Sequence, residues 1–80
     1  MKTTRYFDQE VRRRRPYIED RWLERAIREP AFTEVQSNGR VRHWIFVEAL
    51  GKYLRVVTLP DGETVRTAFP DRGFDPADRS

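Results

Sequence analysis

Phe32 to Val47 reads FTEVQSNGRVRHWIFV. Apolar and polar residues alternate on either side of Ser37-Asn38-Gly39-Arg40, the pattern of two antiparallel strands joined by a tight turn. Asn38-Gly39 suits the positive φ of a two-residue type I′ loop. With that loop, Glu34 faces His43, Val35 faces Arg42 and Thr33 faces Trp44.

The same period of two continues downstream. KYLRVVTL and ETVRTAF flank Pro60-Asp61-Gly62, which predicts a second hairpin with a three-residue loop. Its register sets Val57 opposite Val65, Arg55 opposite Thr67 and Tyr53 opposite Phe69. Between the hairpins, EALGKY predicts a short turn at Gly51. The tail PDRGFDPADRS is turn-like and then polar, with residues 75–80 expected to fray.

Upstream, the spacing predicts a helix from Pro16 to Glu29. Proline is tolerated in a first turn, Glu19 and Asp20 suit the positive end, and Arg25 and Arg28 suit the negative end. Ile18, Trp22, Ala26 and Ile27 share one face, which Leu23 widens, and Pro30 stops the helix. Lys2 to Phe7, KTTRYF, predicts a short first strand. The expected fold is therefore α+β: one main helix packed on a four- to five-stranded antiparallel meander, forming a single domain over residues 1–80. Both faces of the third predicted strand are apolar, Val41, Ile45 and Val47 on one side and Trp44 and Phe46 on the other. One helix covers one face. The other must be curled on itself, covered by the tail, or buried against a second chain, so a homodimer is one expectation.

Hydrophobic residues make up 38% and charged residues 36% of the 80. Two Trp, five Phe and three Tyr are nonetheless too many for a disordered tail. The absence of cysteine excludes disulfide scaffolds, thiol catalysis and Cys-based zinc sites. His43 is the only histidine, and no cofactor or metal is expected. Ser37 and Ser80 are the only serines, which argues against a Ser-His-Asp triad. No stretch approaches the ~18 apolar residues of a membrane span, and the expected compartment is the cytoplasm.

Net charge is +3, and its excess lies in residues 1–40, which hold ten Lys/Arg against seven Asp/Glu. Fourteen of the sixteen cations are Arg, a bias compatible with RNA, DNA or an acidic partner, and equally with a GC-rich genome that favours Arg codons. Arg12, Arg13, Arg14 and Arg15 run straight into Pro16. As the entrance to a helix they would lie at its positive end, where cations are disfavoured, and would point into solvent, there to track phosphates, to grip an acidic segment, or to serve only as a solvated face. Arg42, Lys52 and Arg72 are further candidates for phosphate contact. Metal-free RNA cleavage needs a proton acceptor, a proton donor and cations for the phosphorane charge. Arg55 and Arg66 are candidates for the cations, and His43 or Tyr53 for the proton transfers. Opposite Glu34, His43 would be a base held in one tautomer, or else a cross-strand pair serving stability.

The layout as a whole is similar to a known family. A short first strand, a helix ending in REP, an NG hairpin with GRVRHW, then GKYLRVVTLPDGETVRTAF and DRGF resemble the RelE/ParE toxin superfamily, and BrnT-type toxins in particular, over residues 3–74. The resemblance implies a compact α+β fold, metal-independent cleavage of mRNA, and neutralisation by a cognate antitoxin protein. It also implies functional Arg, Lys, Tyr or His residues on the later strands, matched best by Arg55 and Arg66 and then by His43, Tyr53 and Arg72. The tail DPADRS departs from the pattern, lacking a terminal aromatic or histidine. The expected function is an endoribonuclease toxin. The alternative is a non-enzymatic module of the same fold that binds nucleic acid or protein.

Overall fold

The computed structural model describes residues 1–79. Its order is β1 (Lys2–Thr3), a π-helical turn (Phe7–Val11) continued by α1 (Arg12–Arg14), α2 (Asp20–Arg28), β2 (Phe32–Val35), β3 (Val41–Val47), β4 (Lys52–Thr58), β5 (Thr64–Pro70) and a 3₁₀ turn (Pro76–Arg79). The fold is α+β. Strands β2 to β5 form consecutive antiparallel pairs, but β1 pairs parallel with β5. The sheet, ordered β1-β5-β4-β3-β2, is therefore mixed rather than wholly antiparallel.

The N-terminal segment departs most from expectation. Only Lys2 and Thr3 are strand, and the chain then turns into helix. The Thr4 hydroxyl accepts the Phe7 amide at 3.1 Å, and the Thr4 carbonyl accepts the Asp8 amide at 3.1 Å. Phe7 and Val11, four apart, are both buried. Asp8 and Glu10 lie in the first turn and Arg12, Arg13 and Arg14 in the last, where each sign suits the helix dipole. The arginine run thus closes one helix instead of opening another. Pro16 follows that end, and α2 begins at Asp20, not at Pro16. Arg12 joins the two helices, donating to Asp8 at 3.2 Å and Asp20 at 2.8 Å.

Helix α2 buries Trp22, Leu23 and Ala26 against the sheet, while Ile18 is buried in the preceding loop. Ile45, Val47, Leu54, Val56, Val65 and Ala68 complete this core from the facing strands. It is thin, as expected for so short a chain.

Both hairpin registers differ from the predicted ones. In the first, Gly39 alone takes a positive φ, +88°, and no non-glycine residue does. Asn38 instead accepts the Arg40 amide through Oδ1 at 2.9 Å, while the Gln36 amide donates to the Arg40 carbonyl at 2.7 Å. The loop is Ser37-Asn38-Gly39, one residue longer than predicted. Glu34 consequently faces Arg42, Thr33 faces His43 and Phe32 faces Trp44. A one-residue slip exchanges the faces of a strand, so the expected Glu34–His43 pair does not form.

In the second hairpin, the Asp61 carboxylate accepts the Glu63 and Thr64 amides at 2.8 and 2.9 Å and the Thr64 hydroxyl. The hydroxyl bond, then the two amides, lower its pKa to about 2. This local clamp draws Glu63 into the loop, which the Leu59 amide closes by donating to the Thr64 carbonyl at 2.9 Å. Arg55 therefore faces Phe69 and Val57 faces Thr67, with an irregularity between Val57 and Thr58. Tyr53 does not face Phe69.

The second sheet face is covered by the chain itself. After β5 the Asp71 amide donates to the Tyr53 carbonyl at 2.8 Å, and the tail folds back. Phe74 stacks on Trp44 with centroids 4.7 Å apart and packs on Tyr53 and Phe32 at 4.9 and 5.4 Å. From the sequence, Asp71 either clamps Arg72 or closes the turn with it. Its Oδ2 instead accepts Trp44 Nε1 at 3.0 Å and Arg55 Nε at 3.0 Å, with the second Arg55 nitrogen at 2.8 Å. Asp75 Oδ1 accepts the Ala77 amide in the final turn, and Ser80, the end of the stretch expected to fray, lies outside the described residues.

Burial raises the pKa of Asp71, but the hydrogen bonds from Trp44 and Arg55 outweigh it and hold the carboxyl below its ordinary range. The Asp71 side chain is 9% exposed and that of Arg55 25%, so an uncharged replacement strands a half-buried guanidinium. Asp71→Asn is expected to cost about 2 kcal/mol, read as a lower urea midpoint at unchanged m-value. An unchanged midpoint would mean that the tail closes without the carboxylate.

Candidate functional site

The strand alternation separates the four residues considered for cleavage. His43 lies on the helix-covered face, paired with Val56, and is 5% exposed. Its Nε2 is 2.9 Å from Thr58 Oγ1, and its Nδ1 is buried without a partner among the described residues. Tyr53 and Arg55 point to the opposite face, Tyr53 against Phe46 and Phe74, Arg55 over Trp44 and Phe69 and bound to Asp71. Arg66 stands in the irregular step between Val65 and Thr67, its guanidinium 4.9 Å from the Tyr6 ring. The four are thus divided among one sheet face, the opposite face and the irregular step of β5.

The candidates for phosphate contact divide differently. Arg12 is held by Asp8 and Asp20, Arg14 approaches Glu10 at 4.0 Å, and Arg42 donates to Glu34 at 2.8 Å. Arg13 is exposed on the last turn of α1. Arg15, Lys52 and Arg72, by contrast, line one groove of about 420 Å³ together with Tyr17 and Phe69. Three separate elements deliver them: the segment after α1, the start of β4, and the turn after β5. None of the three has a carboxylate within ion-pair distance among the described residues. Arg15 lies 5.8 Å from the Phe69 ring centroid, and Tyr17 as a residue is 47% exposed.

Three unpaired cations around one concavity create a local positive potential that an isolated surface cation does not. An exposed aromatic beside them offers a π-face for a nucleobase. Tyr17 is the element that sequence periodicity missed. Periodicity predicts it inside a helix beginning at Pro16, whereas it occupies the bend between two helices. An aromatic directly after RRRRP was the available signal.

Among the described residues no cluster of His, Asp and Glu able to hold a metal ion occurs, and no helix is long and apolar enough to cross a membrane. No family model, curated protein or solved structure matches the chain.

Burial lowers the pKa of His43, so the folded state favours the neutral imidazole. The unfolded chain then binds the proton more tightly. Stability is complete above the unfolded value of about 6.5 and is lost as pH falls through it toward the lower folded value. The urea midpoint is therefore expected to drop between about pH 7.5 and pH 5. His43→Gln should flatten that drop; an equally steep loss in the variant would assign it to other groups.

Proposed function

We propose that this domain is a non-enzymatic module that binds single-stranded nucleic acid, RNA in the first place, through the Arg15–Lys52–Arg72 groove. What carries the reading is that these three cations, drawn from distant parts of the chain, converge without carboxylate partners beside an exposed tyrosine. Phosphates sit between the cations while one base stacks on Tyr17. A stacked tyrosine requires an unpaired base, which favours single strands over duplex. Recognition is sequence-blind, because phosphate contacts position a strand without reading it. The exposed Arg13 extends the positive surface from the end of α1.

The scaffold is one whose element order, helix before a run of hairpins, resembles the RelE/ParE superfamily. Cleavage is not part of the proposal. The candidate base, His43, is buried on the face away from Arg55 and Tyr53, and the Arg55 charge is already engaged by Asp71.

Binding of a fluorescein-labelled oligouridylate, followed by polarisation across a salt series, tests the reading. For single strands each phosphate contact contributes roughly −0.7 to the slope of log K against log salt. The Arg15→Ala/Lys52→Ala/Arg72→Ala variant should make the slope shallower by about 2. Tyr17→Ala should weaken binding by about 1 kcal/mol without changing the slope. The RNA should remain intact after incubation with protein in EDTA. An unaltered slope in the triple variant sinks the groove assignment, and cleavage that persists in EDTA would restore the nuclease.

A further inference from the structure

Strand β2 is shorter than the strand it borders. Its register with β3 ends at Phe32 opposite Trp44, and β3 runs on through Ile45, Phe46 and Val47, paired with β4 on one side and with no strand among the described residues on the other. Pro30 and Ala31 lead into β2 from the end of α2, and the Ala31 amide makes the last contact, to the Trp44 carbonyl at 2.8 Å. Backbone groups alternate in direction along an antiparallel strand, so those of Phe46 point the same way as those of Trp44, toward the open edge. The Phe46 carbonyl confirms this: it accepts Arg25 Nη2 at 2.7 Å, from the side where β2 is missing. The Phe46 amide has no acceptor there among the described residues. The Phe46 ring is 45% exposed, and a cleft of about 720 Å³ runs between this edge and α2.

The charges lining the cleft indicate what fits it. Arg25, Glu29 and Glu48 all border it, and none takes part in an ion pair among the described residues. One patch therefore carries both signs outside any ion pair beside the unpaired Phe46 amide, with Arg25 held only by the Phe46 carbonyl. A two-fold interface has that requirement, since each patch must complement an identical copy of itself.

We propose that the Ile45–Val47 edge is the interface of a homodimer, in which β3 pairs antiparallel with β3 of a second copy about a two-fold axis at Phe46. The two Phe46 amides and carbonyls satisfy one another, and each carbonyl retains a lone pair for Arg25. The Phe46 rings meet across the axis. Arg25 of each copy meets Glu29 and Glu48 of the other. Other sheet edges protect themselves with charge, and Arg25 serves that purpose in the monomer by covering the carbonyl.

Sedimentation velocity of the full chain over the micromolar range tests this, with a dimer expected. Phe46→Pro removes both the outward amide and the ring that meets its copy across the axis, and leaves the β3–β4 ladder its bonds, so it should be monomeric while retaining its circular dichroism spectrum. Should that variant unfold, two charge variants decide the matter. Arg25→Glu, and separately Glu29→Arg with Glu48→Arg, should each be monomeric alone and form a mixed dimer when combined. A wild-type monomer throughout overturns the proposal. So does a dimer that survives Phe46→Pro, or charge variants that remain monomeric on mixing. These readouts do not depend on nucleic-acid binding by the separate basic groove.

Discussion

The Asp71 carboxylate is the contact on which the second face of the sheet depends. A five-stranded sheet with two helical segments on one side leaves Trp44, Tyr53, Phe69 and Phe32 on the other, and a chain this small has no further layer to spend on them. Asp71 answers with one oxygen that receives both the Trp44 indole N–H and the Arg55 guanidinium. Its other oxygen receives the Gly73 amide at 3.1 Å, which bends the chain so that Phe74 reaches the Trp44 ring. A surface pair of this kind would contribute little. Partial burial and two simultaneous donors make this one the fastening of the tail.

The same contact decides what Arg55 does. As an isolated strand residue it is a plausible phosphate ligand, alternating outward on a sheet rich in arginine. Packed over Trp44 and Phe69 and bound to Asp71, it is instead a structural cation, and its planar fork serves the stacking as well as the charge pair. The excess positive charge of the sequence is thereby reduced to fewer positions than composition suggests. Arg12, Arg14, Arg21, Arg42 and Arg55 all have carboxylate partners. Among the described residues Arg15, Lys52 and Arg72 do not, and they line one groove.

Fold class and the succession of hairpins were legible in the sequence, because alternation and Gly-centred turns are local signals. The turn at Gly51, with φ +65°, and the strands around it follow directly from them. Register was not legible, and the reason is equally local. Asn38 and Asp61 each chose a side-chain bond to the following backbone over the tighter loop, which moved the first hairpin by one residue and altered every pair in the second. The N-terminal helix was missed because its apolar signal is only Phe7 and Val11, and because a π-turn spaces its hydrogen bonds by five. Of the candidate site, individual residues were identified but not their grouping, since grouping depends on register and on where the tail returns.

The arginine run shows how one boundary error propagates into a functional reading. Placed before a helix, four arginines oppose the local dipole and point into solvent, where a polyanion is one reason for them and solvation another. Placed after Phe7–Val11, Arg12 to Arg14 satisfy the negative end of that helix, and Asp8, Glu10 and Asp20 neutralise two of them. What remains unexplained by the fold is Arg15, which has left the helix, at φ −128° and ψ 62°, and turns toward Phe69. Pro16 forces that departure by disfavouring helical geometry in the residue before it. The proline that was read as the start of a helix thus has the opposite effect: it frees the last arginine of the run from the dipole and delivers it, with Tyr17, to the groove shared with Lys52 and Arg72.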